Sequence, residues 1–324
     1  MRAPRIVAAA MAVGLVATAC GADTSASEPF ADCAAPKRHL TIATGNSGGV
    51  YYTLGGGMAE LINENTPLGA STTETGGSVD NIQQLMAGDI DVAFSLVDSA
   101  EDAKNGTGSF EGQKADISAL ARIHSNYTHV VVREDSGIST IEDMKGKKIS
   151  TGAAKSGTEV IAYRLLEAAG LQPDRDISAQ QLSLEETVAD IESGQIDGFF
   201  WSGGLPTPEV ADLMASRKDM KFVDISDLVT KMRLLSFAYT LGTLPAETYG
   251  LQADVRSIVV PNVLLVRSDF PASNACMIAR LIFENKDRMV RTHEAASELD
   301  RTEALQTVPI ELHRGARDVL LETP

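Results

Sequence analysis

The sequence predicts an α/β fold of two similar lobes, each built on a mostly parallel sheet, with a ligand cleft between them. Three observations carry this reading. Short apolar, β-branched runs alternate with helix-length segments along nearly the whole chain. Several of those runs are continuously apolar rather than alternating, which suits strands buried on both faces. LMAGDIDVAF at 85–94 is echoed by IESGQIDGFF at 191–200, each a helix end, a glycine and an Ile-Asp strand leading into a polar loop. The echo implies two lobes in succession whose loops face each other, a common place for a ligand.

The first elements after the N-terminal segment are a strand at 40–44 and a helix at 50–65, with Leu54, Met58, Leu61 and Ile62 on one face. Gly55, Gly56 and Gly57 lie inside that helix at about 1 kcal/mol each relative to Ala, so another backbone is expected close by. A strand at 70–74, a helix at 78–87 closed by Gly88, a strand at 90–95 and a helix at 98–105 follow. Residues 117–123 lead into a strand at 129–133. A short helix, a turn and a strand occupy 141–150, and an amphipathic helix runs from 156 to 169 before Gly170. Then come a helix at 185–193 stopped by Gly194, a strand at 196–201, a helix at 209–216 and a strand at 221–225. Residues 257–267 read as extended, and from 272 the chain reads as helical to its end. Lobe 1 takes 37–130 with 261–324 and lobe 2 takes 131–260, joined by crossovers near 130–134 and 258–266.

With 324 residues the chain has room for a large core or two domains. Its 44% hydrophobic and 22% charged content is ordinary for a globular chain, and a net charge of −16 argues against a nucleic-acid partner, which would need a basic face. Residues 1–19 have a positive start (Arg2, Arg5), a short apolar run and small residues at 17–19, the pattern of a secretory signal peptide. Cys20 follows directly, as in a bacterial lipobox, with Ala17 where Leu is usual. Lipidation of Cys20 is the reading, with a plain secreted chain cut near Ala19 as the alternative. Residues 20–36 read as a flexible tether. In an exported protein Cys33 and Cys276 suggest a disulfide, two free thiols being the alternative. The five histidines form no ligand cluster with Cys or acids, so neither metal nor cofactor is expected.

Three loops carry the chemistry. TGNSGGVYY at 44–52 places a Gly- and hydroxyl-rich turn between a strand and a helix, and leaves helix N-terminal N–H groups free to take an anion without any Lys or Arg. Ser47, Gly48, Gly49 and Tyr51 are its candidate contacts, with Ser47 the expected helix cap. The loop at 75–81 offers Gly77, Ser78 and Asn81. The loop at 151–159 offers Ser156, Gly157 and Thr158, with Ser156 or Thr158 as cap and Lys155 in solvent. At strand ends, Asp98 could accept a ligand ammonium or merely start a helix, with Ser99 beside it. Trp201, the single tryptophan, is a candidate cleft wall with Ser202 and Gly203. His313 is expected to cap or pack the C-terminal helix.

Seven stretches, at 44–52, 76–81, 88–94, 141–147, 155–159, 194–200 and 313–316, resemble in order and over nearly the whole mature chain the solute receptors of tripartite ATP-independent periplasmic (TRAP) transporters, TAXI subtype. The resemblance implies a type II periplasmic-binding-protein-like, Venus-flytrap fold and no enzymatic activity. It implies a small anionic solute, glutamate or a related dicarboxylate, passed to a TRAP membrane permease. The receptor is expected to be a monomer, periplasmic or held by lipid at the outer face of the cytoplasmic membrane. Lipidation departs from the family's usual soluble form.

Two other readings stand beside it. GNSGG at 45–49 fits the nucleophile-elbow pattern of a serine hydrolase, with Ser47 as nucleophile. Such an elbow would need a downstream acid and His at strand ends, whereas His293 and His313 fall in expected helix. The same fold could also serve a ligand sensor feeding a signalling partner.

Overall fold

The computed structural model describes Cys33 and residues 38–322. The expected signal peptide, Cys20 and, apart from Cys33, the tether lie outside the described residues. Ten strands form one sheet: β1 (His39–Ala43), β2 (Gly69–Thr73), β3 (Val92–Leu96), β4 (Ile117–Arg133), β5 (Lys148–Ser150), β6 (Ser178–Gln180), β7 (Gly198–Gly203), β8 (Met220–Phe222), β9 (Thr240–Leu244) and β10 (Val255–Arg267). Their order is β2-β1-β3-β10-β4-β7-β5-β6, with β8 added to β4 and β9 to β10.

Each end of the sheet is a parallel triplet, β2-β1-β3 in the first lobe and β6-β5-β7 in the second. Parallel strands need crossovers, supplied by α1 (Val50–Asn65) and α2 (Ser78–Ala87) in the first lobe. In the second they are α4 (Gly157–Ala168), following α3 (Val97–Asn105), and the helix Leu184–Glu192. The echo at 85–94 and 191–200 thus marks the same position in two like halves. β3 and β7 are buried along their whole length, which is why apolar residues occupy successive positions in each, Val92–Phe94 and Phe199–Trp201.

The two long antiparallel strands β4 and β10 belong to both halves. β10 pairs with β9 over Val255–Val259 and with β3 over Asn262–Leu265. β4 pairs with β7 from Tyr127 onward, ahead of the crossover expected near 130–134, because 117–123 and 129–133 are one continuous strand. The sheet therefore narrows to a neck of β4 and β10, where Pro261 faces Ser125 beside a register shift.

Elsewhere the structure corrects the sequence reading. The glycines of α1 meet side chains, not a backbone: a Cβ on Gly55 would lie 2.4 Å from Thr44 Cγ2, one on Gly57 would lie 2.9 Å from Thr292, and Gly56 faces open space. The C-terminal region is not one helix. It breaks into Ala272–Glu284, Lys286–Thr292, short turns and Arg314–Leu321, interrupted where Pro309 and the caps at His293 and His313 stop helical hydrogen bonding. Cys33 and Cys276 are joined by a disulfide with Cα atoms 5.3 Å apart. Among the described residues no helix is long and apolar enough to cross a membrane.

Candidate functional site

Parallel strands aim their C-terminal ends at one edge of each half-sheet, and the helices that follow start there. The ends of β1, β2, β3, β5 and β7 consequently converge on one pocket between the lobes. Gly49, Val50 and Tyr51 reach it from α1, Gly77 and Ser78 from α2, and Ser156, Gly157 and Thr158 from α4. Trp201, Ser202 and Gly203 close it from β7, and Leu96 from β3. Ten of the expected contacts thus share one cavity.

The others do not line it. The cap of α1 is Gly49, without a side-chain bond, so Ser47 does not play that part. Ser47 is exposed and its N–H donates to the Glu74 carboxylate (2.8 Å). Gly48 lies under Glu209, whose Oε1 is 2.2 Å from where a Cβ would sit. Asn81 is a strut below the floor: its amide donates to the Thr44 (2.6 Å) and Phe94 (2.8 Å) carbonyls. Asp98 is fully buried and spent inside the protein. Its carboxylate takes Arg164 (3.3 Å), the Tyr239 hydroxyl and the Ser99 N–H (2.8 Å), while Arg164 forks onto Asp102 (2.6 and 2.8 Å). Burial pushes the Asp98 carboxyl pKa up, against the pull of Arg164. No imidazole serves Ser47. His39 meets Ser71, His129 meets Tyr249, His293 and His313 cap helices, and both ring nitrogens of His124 lack a partner. Among the described residues no histidine is within hydrogen-bond reach of Ser47.

What holds the pocket in shape is a set of polar side chains inside β4 and β10. Asn126 donates to the Ser202 carbonyl (3.0 Å) and accepts from Asn262 (2.8 Å), and the Tyr51 hydroxyl donates to Asn262. This chain ties α1, both neck strands and β7 together. Burial raises the Tyr51 pKa, so the phenol keeps its proton. Trp201 is fixed through Thr207, which accepts from Nε1 (3.2 Å). The Thr207 N–H donates to the Tyr249 hydroxyl (3.1 Å), and that hydroxyl meets His129 Nε2 (2.7 Å). His129 Nδ1 donates to the Tyr127 carbonyl (2.9 Å), which leaves Nε2 as acceptor. Asn126 and Asn262 escaped the sequence reading; Asn262 stands as an amide inside the apolar run 258–266, whereas Asn126 sits among polar neighbours, His124, Ser125 and Thr128, and gave no such signal.

The lobes touch across the pocket. Lys155, held at φ +61°, turns its carbonyl to the N–H groups of Val79 (3.1 Å) and Asp80 (3.0 Å) at the start of α2. The second loop's free donors are therefore used between lobes. Ser156 caps α4, accepting from the Glu159 N–H (3.0 Å).

A family model described as the NMT1-like family matches residues 42–323. The chain belongs to the NMT1-like family. This NMT1-like chain also resembles solved structures. The binding protein component of an ABC phosphonate transporter from Pseudomonas aeruginosa is 11% identical, with a TM-score of 0.55 over 80% of this chain and 79% of that one. A Bordetella bronchiseptica protein is 19% identical (TM-score 0.52, 83% and 81% covered), and a periplasmic transporter structure is 13% identical (TM-score 0.50, 88% and 93%). At such identities the likeness is one of fold: the two-lobed, periplasmic-binding-protein-like α/β architecture with a cleft between lobes.

Proposed function

We propose that this NMT1-like protein is an extracytoplasmic solute-binding receptor that captures a small anionic solute and delivers it to a membrane transporter. The observation that carries this is one pocket between two lobes lined by the starts of three helices, of which α1 has no side-chain cap to take its N-terminal N–H groups. Ligand contact is assigned to Gly49, Tyr51, Gly77, Ser78, Ser156, Gly157, Thr158, Trp201, Ser202 and Gly203, with Asn126 added. The Pseudomonas structure's name, a transporter's binding component, supports the receptor role. The TRAP permease and TAXI subtype rest on the seven sequence stretches, which also suggest glutamate or a related dicarboxylate. Export by residues 1–19, with retention through a lipid on Cys20, completes the reading.

In this reading the solute binds one lobe and bridges to the other, shifting an open–closed equilibrium about the neck. Calorimetry and thermal shift of the chain without residues 1–19, against small carboxylates and amino acids, test it. A bound solute raises the melting temperature in a concentration-dependent way. Turnover of esters with no anion binding would overturn it.

A further inference from the structure

We propose that the solute is a small organic monoanion without an amino group, in place of the glutamate or dicarboxylate that the sequence stretches suggest. This rests on reading the cleft as the receptor's binding site. Among the described residues no Asp, Glu, Lys, Arg or His side chain lines that pocket. An ammonium leaving water needs a carboxylate to receive it. Three of the acids around the pocket are committed elsewhere: Asp98 is held by Arg164 and Tyr239, Glu74 by the Ser47 N–H and Asp80 by the Gly76 N–H (3.1 Å). Glu209 lies over Gly48, outside the pocket lining, with Oε2 buried and without a partner.

The pocket is instead furnished with donors. Thr158 accepts the Ser202 N–H (3.1 Å) on its hydroxyl oxygen, and Ser78 accepts the Leu96 N–H (3.0 Å). The Thr158 hydroxyl keeps its own proton to give, while the Ser78 hydroxyl also meets the Tyr51 phenol, and both residues are buried against the pocket. The helix ends add a graded positive field. α2 carries Asp80 and has its N–H groups taken by Lys155, and α4 carries Glu159. α1 has neither a side-chain cap nor an acid in its first turn. One bare helix end, worth about half a charge, with hydroxyl donors, suits one negative charge. A second carboxylate would find no Lys or Arg. The remaining wall, Val50, Leu96 and Trp201, suits an apolar body.

Calorimetry with matched probes on the chain lacking residues 1–19 tests this. The pairs are 4-methyl-2-oxopentanoate against leucine, 2-oxopentanoate against 2-oxoglutarate, and butanoate against succinate. The amine-free monocarboxylates should bind at least about tenfold tighter than the amino acid or the dianion, and Thr158→Val should weaken them about tenfold while Thr158→Ser restores binding. An amino acid or a dianion binding as tightly as the matched monoanion overturns the proposal and leaves the receptor reading standing. Binding of no probe sinks both.

Discussion

Gly76 shows how one hydrogen atom in place of a methyl lets two lobes meet. A Cβ there would lie 2.3 Å from the Ala154 carbonyl oxygen, across the cleft, and backbone cannot swing aside as a side-chain tip can. Gly76→Ala should leave the lobes folded but hold them apart. The unliganded melting point should stay within a few degrees, while solute affinity falls by about tenfold or more. Unchanged affinity in calorimetry would show that the contact plays no part in binding. At the same scale, burial holds the pKa of His124 down to about 3 and of His129 to about 4, against 6.5 when exposed. Unfolding therefore takes up protons below pH 6.5. Stability is complete above that pH and falls as pH drops toward 4, by about 1.4 kcal/mol per pH unit for each ring. Urea titrations between about pH 7.5 and about pH 4.5 should show this loss, and His129→Gln should remove about half of it, leaving the part due to His124.

Among elements, α3 and α4 meet through charges rather than hydrophobic area alone. Arg164 of α4 holds two carboxylates of α3, Asp98 and Asp102, while Tyr239 stands immediately before β9, whose Thr240 pairs with Val259 at the neck. The cluster braces the neck from one side. Arg164→Leu would strand a fully buried carboxylate, and chemical denaturation should show a loss of about 3–5 kcal/mol. A loss below about 1 kcal/mol would remove the bracing role. How legible such elements were in the sequence depended on how strongly each was patterned. α1 and α2 were read to the residue because periodic apolar faces and flanking glycines bounded them. β6 (SAQ) and β9 (TLGTL) were missed, since short strands with exposed positions have no apolar run to announce them. The Gly/Ser loops of the site were legible, but their use was not. Which N–H the Lys155 carbonyl takes, or that Arg164 claims Asp98, depends on lobes that come together only in three dimensions.

At the scale of the whole molecule, the disulfide joins residues 243 positions apart, so it closes nearly the entire folded chain into one loop. Constraining so long a loop in the unfolded state should be worth about 2–5 kcal/mol. Reduction, or paired Cys33→Ser and Cys276→Ser, should lower the melting temperature by several degrees without changing solute affinity at low temperature. An unaltered melting curve would count against a stabilising role for the bond. The neck governs the rest of the molecule. Pro261 brings no N–H to the ladder at the point where β10 has left β9 and not yet reached β3, so the sheet bends there at the loss of few hydrogen bonds. Geometrically this makes each lobe a lever with its fulcrum at two adjacent strands. Displacement then grows in proportion to distance from Pro261, and a slight rotation there becomes a wide swing at the far rim.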